Sequence, residues 1–204
     1  MPEEESIEAV VAASGGPVII GPTARRTARD YIALAIATCG VGYLPLAPGT
    51  WGSLVGIGVY FLVRGAAMKV FFDVASQHRL NLLHVYYGVI TVELVAILAI
   101  ALIGTWAASH TEKLSATKDP RKVVIDEVVG QFIALIPVPF ILQTAWWTAI
   151  LAFILFRFFD IVKPFPARRL ESLESGLGIM ADDIVAGAYA AIVVAVVVVI
   201  SWFI

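Results

Sequence analysis

Six apolar runs follow one another along the chain, separated by short polar connections: YIALAIATCGVGYLPL, LVGIGVYFLV, LLHVYYGVITVELVAILAIALIGTW, VVIDEVVGQFIALIPVPFIL, TAWWTAILAFILF and DDIVAGAYAAIVVAVVVVISWFI. A membrane crossing needs roughly 20 apolar residues, which the third, fourth and sixth runs supply. The first two are short and broken by Gly and Pro. They are predicted to be half-spans or a re-entrant pair, tolerated only where their backbone packs against other helices. The fifth crosses if it extends from Gln143 to Phe159. The Val-rich last run is poorly suited to a helix in water but natural in lipid, where backbone bonds must close internally. The pattern predicts an all-α, polytopic helical membrane protein. It has about four full transmembrane helices plus one or two short or re-entrant N-terminal helices.

Ahead of the first run, MPEEESIEAV is acidic and the stretch after it is rich in Gly, Pro and small polar residues, which fits neither a basic leader region nor a clean cleavage site. Residues 1–28 are predicted to be a mobile tail. No repeat period breaks the remainder, so residues 29–204 are taken as a single helical transmembrane catalytic domain.

Composition agrees: of 204 residues, 60% are hydrophobic and 15% charged, with mean hydropathy +0.90. A net charge of −2 gives no preference for nucleic acid, and nothing in the sequence implies a protein partner. The lone Cys39 has no disulfide or metal-ligand partner and reads as a small packing residue. The placement of the charges carries more than their sum.

If runs three to six each cross once, the loop 107–122, the loop 160–181 and the start of the last helix share one face. The turn APGTWGSL joins them if run two crosses as well. That face holds Lys113, Lys118, Arg121, Lys122, Lys163, Arg168 and Arg169, with Arg157 near it; the other holds Arg64, Lys69 and Arg79. Cytoplasmic loops carry the Lys/Arg excess, so the motif-bearing face is predicted to be cytoplasmic.

The same threading gathers acids. In KDPRKVVIDEVVG, Asp119 is suited to cap a helix and Pro120 to open it, which places Asp126 two turns on, with Glu127 about 100° round from it. Run five ends in FRFFDIVKPFPARRLE, where Pro164 and Pro166 stop the helix and leave Asp160 and Lys163 at its exit. Run six begins GLGIMADDIVAGAYA, with Asp182 and Asp183 near its start and a strip of Ala186, Gly187 and Ala190 that permits close helix approach. Asp126, Glu127, Asp160, Asp182 and Asp183 can therefore converge at one interface. Carboxylates so close cannot all stay anionic without compensation, and a divalent cation resolves this. All-oxygen ligation favours Mg²⁺, and His78, His84 and His110 show no ligand spacing. Lys163, Arg168, Arg169 and the glycine-rich turns at Gly49 and Gly176–Gly178 would suit a phosphate held with the metal.

YLPLAPGTWGSL, DPRKVVIDEVVGQ and FRFFDIVKPFPARRLE with GLGIMADDIVAGAYA resemble, in order, the three signature blocks of the phosphatidylglycerophosphatase A family, and together they cover roughly a third of the chain. The resemblance implies a Mg²⁺-dependent membrane phosphatase that removes the terminal phosphate of phosphatidylglycerophosphate to give phosphatidylglycerol. By motif it implies metal or catalytic positions at Asp126, Glu127, Asp182 and Asp183, with Asp160 and Lys163 in support. Gly49, Thr50, Trp51, Lys163 and Arg168 are the substrate-binding candidates. The alternative for APGTWGSL is a plain turn with an interfacial Trp51, and for Arg168 and Arg169 an orientation signal or a contact with anionic headgroups.

Other phosphatase chemistries fit poorly. Cys39 is not followed by a Cys-X5-Arg loop, no Asp-X-Asp pair is present, and the histidines lack the spacing of a His-based lipid phosphatase. Attack by water activated at the metal is the expected route, with an Asp nucleophile as the alternative. A small transporter or channel with cation-binding carboxylates is the rival reading; it accounts for Asp126 and Glu127 but not for acids, Lys163 and glycine turns meeting at one interface.

Overall fold

The computed structural model describes residues 26–79, 81–139, 142–170, 173 and 175–203; the expected tail, up to residue 25, lies outside them. The described residues are helical, with no strand: α1 (Ala28–Thr38), a 3₁₀ turn (Val41–Tyr43), α2 (Pro48–His78), α3 (Leu82–Ser115), α4 (Ile125–Leu135), α5 (Leu142–Val162), α6 (Ala167–Leu170) and α7 (Gly176–Ser201). Among them α2, α3 and α7 are long and apolar enough to cross a membrane. Leu62, Leu102 and Ile192 on these helices face outward, as lipid-facing side chains should. Tyr86, Tyr87 and Trp146 are exposed near the starts of α3 and α5, the end of the bundle away from the acids.

Two elements differ from the sequence reading. The second run, expected to be a half-span or part of a re-entrant pair, belongs to a 31-residue helix that Gly56 and Gly58 do not break. A Cβ at Gly56 would meet the Val128 carbonyl oxygen at 2.9 Å, so the glycine lets α2 lie directly on α4. The fourth run, expected to cross, forms only the 11 residues of α4, about 16 Å of helix. Pro137 and Pro139 stop it.

A helix that ends within apolar surroundings leaves carbonyl groups in need of donors. Arg64 of α2 supplies them: its Nη1 donates to the Val138 carbonyl at 2.6 Å and its Nη2 to that of Ile136 at 3.3 Å. The guanidinium also pairs with Glu93 of α3, Nε to Oε1 at 2.5 Å, and lies over the Tyr60 ring. Arg64 and Glu93 are both buried. Arg64 therefore does not belong to the far face where its sequence position had put it.

α4 sits at the centre, packed between α2 and α7. Against α7 the approach is closest at Gly130 and Gly187, where a Cβ on Gly187 would overlap the Gly130 carbonyl oxygen. Ala186 and Ala190 are buried beside it, so the small-residue strip is used as expected. Tyr60, Phe132, Leu135 and Phe156 fill the core at this level with Val194. A second cluster nearer the acids joins Val123, Val128 and Val129 to Ala107, Ala108 and Met180.

Candidate metal and phosphate site

The start of α4 is set by what precedes it. The helix does not begin at Asp119–Pro120, as the sequence suggested, but at Ile125 with Val124 as its cap. Val123 and Val124 are buried in the core, and the Val123 amide closes a turn on the Pro120 carbonyl at 2.8 Å, so burial of the two valines outweighs the capping signal. The Val124 amide then donates to the carbonyl of Ala37 at 2.8 Å, tying the α4 start to the end of α1. Asp126 and Glu127 thus fall in the first turn of α4, where the helix dipole favours negative charge.

α1 is fixed in turn by a capping box between Thr27 and Asp30, and Asp30 Oδ1 lies 2.6 Å from His110 Nε2 on α3. The bond to His110, followed by that from the Thr27 amide, holds the Asp30 carboxyl down at about 2. His110 is spent on this contact and on stacking with Trp106.

Asp183 reaches Asp126 and Glu127 from α7. It lies almost two turns inside that helix and not at its N-terminus, because α7 already begins at Gly176. The three residues each bring a carboxylate oxygen within 4.8 Å of the others. Asp126 Oδ1, Glu127 Oε2 and Asp183 Oδ2 are buried with no hydrogen-bond partner. Buried oxygens of this kind are costly unless a proton or cation meets them. Asp182, expected beside Asp183 as a ligand, is turned by the helix to another partner: its Oδ2 accepts from Lys163 Nζ at 2.6 Å. Asp160 is held by Arg157, Nη1 to Oδ2 at 2.7 Å, and the same nitrogen stands 3.9 Å from Glu127 Oε1.

Sequence reasoning had used Arg157 only as an orientation charge. Its position three residues before Asp160 on one helix was the available signal. Lys118, Asp119 and Arg121 also line the site and had not been assigned to it.

These groups face a cavity of about 760 Å³ lined by Asp126, Glu127, Asp160, Asp182 and Asp183, with Lys118, Arg121, Lys163 and Arg168 around them. Of the glycine-turn candidates, Gly49 is buried against the acids: a Cβ there would overlap Glu127 Oε1 and come within 2.9 Å of Arg157 Nη1. Its role is to make room. The Thr50 amide is taken up by the Ala47 carbonyl at 2.9 Å, and neither Thr50 nor Trp51 lines the cavity. The Gly176 amide donates to Ser109 Oγ at 3.0 Å and the Gly178 amide to the Ser175 carbonyl at 3.0 Å, so that turn packs α7 on α3. Cys39 stands near the acids, but burial, followed by the charges of Asp126 and Glu127, pushes its thiol up to about 11, which removes it as a nucleophile.

The set fits a hard divalent cation: carboxylate oxygens only, unpartnered, converging from two helices, with cations set back from them. Comparison with known proteins points the same way. The family model for phosphatidylglycerophosphatase A matches residues 34–198. A putative phosphatidylinositol-3-phosphatase of Bacteroides thetaiotaomicron is 38% identical over 162 residues, covering 77% of this chain and 87% of that protein. A phosphatidylglycerophosphatase A of Haemophilus influenzae is 38% identical over 158 residues (76% and 81%), and one of Escherichia coli is 31% identical over 153 residues (74% of each). No solved structure matches the chain. Matched by the family model over most of its length and by relatives at 31–38% identity, the chain belongs to the phosphatidylglycerophosphatase A family of phosphoric monoester hydrolases.

Proposed function

We propose that this protein is a Mg²⁺-dependent phosphatidylglycerophosphate phosphatase that acts at the cytoplasmic face of a bacterial inner membrane and yields phosphatidylglycerol and phosphate. One observation carries the reading: three carboxylates, each with a buried oxygen that has no hydrogen-bond partner, converge at the wall of a cation-rimmed cavity, in a chain of this family.

Asp126, Glu127 and Asp183 would hold the ion. When bound, Mg²⁺ supplies neutralisation of the phosphoryl oxygens and acidification of water. Lys163, fixed by Asp182, and Arg168 face the same cavity and bind the phosphomonoester oxygens. Arg157 clamps Asp160 and keeps it beside Glu127. Asp160, held by Arg157 and lining the cavity, takes the proton of the attacking water. The new P–O bond forms to that water, the bond to the glycerol oxygen breaks, and solvent in the open cavity protonates the departing oxygen. An α4 that starts at the bundle end lets the phosphate meet these groups while the acyl chains stay in the bilayer.

Orientation follows from charge: Lys113, Lys118, Arg121, Lys122, Lys163, Arg168 and Arg169 lie at the site end, against Lys69 and Arg79 at the other. The choice of substrate is supported by the family and by two relatives named phosphatidylglycerophosphatase A. The relative named for a phosphatidylinositol phosphate shares its chemistry, a terminal phosphomonoester on a polyol carried by a lipid phosphodiester.

The test is phosphate release from phosphatidylglycerophosphate by the purified protein. Release should require Mg²⁺, stop with EDTA, and fall by a factor on the order of 10²–10³ in Asp126→Asn. Release that persists in EDTA, or an Asp126→Asn variant as active as the parent, contradicts the proposal.

A further inference from the structure

A second cavity, of about 410 Å³, adjoins the first at the exit of α5. Its wall is Val162, Lys163, Pro164, Phe165, Arg168 and Arg169, so Lys163 and Arg168 line both cavities while Arg169 lines only the second. Lys163 ends α5 in a left-handed turn (φ 47°), and the Pro164–Pro166 stretch then reverses the chain into α6. That reversal places both arginines of α6 beside Lys163. Arg169 is braced, its guanidinium carbon 5.1 Å from the centre of the Phe165 ring. The Phe165 carbonyl is tied to the body of the protein by Tyr189 Oη at 2.8 Å. Arg168 has no carboxylate partner among the described residues. The wall is otherwise apolar, and Phe165 in it is exposed, as is Ile161 just before it in sequence.

A groove with cations on one side and apolar walls on the other, opening at the exit of the apolar helix α5, matches an anionic group joined to hydrocarbon. We infer that this second cavity takes the internal phosphodiester of the lipid substrate, with its glycerol backbone against Val162 and Phe165, while the terminal phosphomonoester lies at the carboxylates. The inference rests on the proposed function. It extends it by assigning the lipid-side half of the substrate to Arg169 and Phe165, with Arg168 standing between the two phosphates. In phosphatidylglycerophosphate one glycerol joins the two phosphates, and the shared wall of Lys163 and Arg168 between the cavities corresponds to that short link. The subsite selects lipids that carry a diester as well as a terminal phosphate.

Binding to the full-length protein in a neutral detergent tests this with two probes, short-chain phosphatidylglycerol, which has the diester without the terminal phosphate, and inorganic phosphate. Arg169→Ala should weaken phosphatidylglycerol about tenfold, the loss of one charge-assisted hydrogen bond, and leave inorganic phosphate within about twofold. Phe165→Ala should show the same selectivity. Equal weakening of both probes, or of neither, overturns the subsite. Repeating the titration with phosphatidylserine in the micelles separates substrate from bulk lipid: an Arg169→Ala effect that appears only there assigns the groove to surrounding anionic lipid and also overturns it. Asp126→Asn keeps the two proposals apart, since it should lower turnover by the same factor of about 10²–10³ yet bind phosphatidylglycerol as the parent does.

Discussion

Asp182 and Asp183 are neighbours in sequence with different work, because successive helix positions differ by about 100° and only one of them can face α4. Asp183 meets Asp126 and Glu127, whereas Asp182 holds Lys163. The sequence put both acids at one interface, and both line the cavity, but it did not say which faces which, since that depends on how α7 is rotated against α4. Gly49 teaches a similar lesson. As a letter in APGTWGSL it suggested a phosphate-binding amide, yet in the fold its missing side chain is what counts. Gly49→Ala should displace Glu127 and Arg157 and reduce the apparent affinity for Mg²⁺ by roughly 10–100-fold, as loss of ligand support generally does. Helix content should be unchanged. A Mg²⁺ titration of phosphate release reads the effect, and a variant with unaltered metal dependence would show that the space beside Glu127 is not required.

Among the elements, α4 departs most from a reading by hydrophobicity. Its run is long enough to cross, and Pro137 and Pro139 were visible in it, but an apolar count does not register where a helix must stop. The compensation lay in other runs, as one Arg in LVGIGVYFLVR and one Glu in TVELVAIL. Two lone charges of opposite sign in separate spans were a legible signal of a buried pair. That Arg64 also serves the carbonyls of Ile136 and Val138 could be known only from the fold. Arg64→Met should cost about 3–5 kcal/mol by stranding Glu93. Arg64→Met with Glu93→Leu should recover part of that and not all, because the two carbonyls still lack a donor. Thermal unfolding in detergent of the two single variants and the double closes the cycle; full recovery in the double would mean that the guanidinium gives the end of α4 nothing.

For the whole molecule, the sequence was most informative where its blocks meet. Motifs scattered over more than 130 positions, from Gly49 to Asp183, come together at one end of a helical bundle, as the alternation of crossings required. The crossing count was less legible, since α4 spans only part of the distance and α2 all of it. The Lys/Arg asymmetry survives these changes. In a Cys39→Ser background, Thr117→Cys, exposed in the loop after α3, should resist a membrane-impermeant thiol reagent in intact cells and react after lysis. Labelling in intact cells would reverse the orientation and put the phosphate site outside. The most direct test of the central claim is an anomalous difference map from crystals grown with Mn²⁺ in place of Mg²⁺. The account predicts a peak at about 2.0–2.3 Å from carboxylate oxygens of Asp126, Glu127 and Asp183. A map with no peak among these three residues, from protein that still releases phosphate, would contradict it.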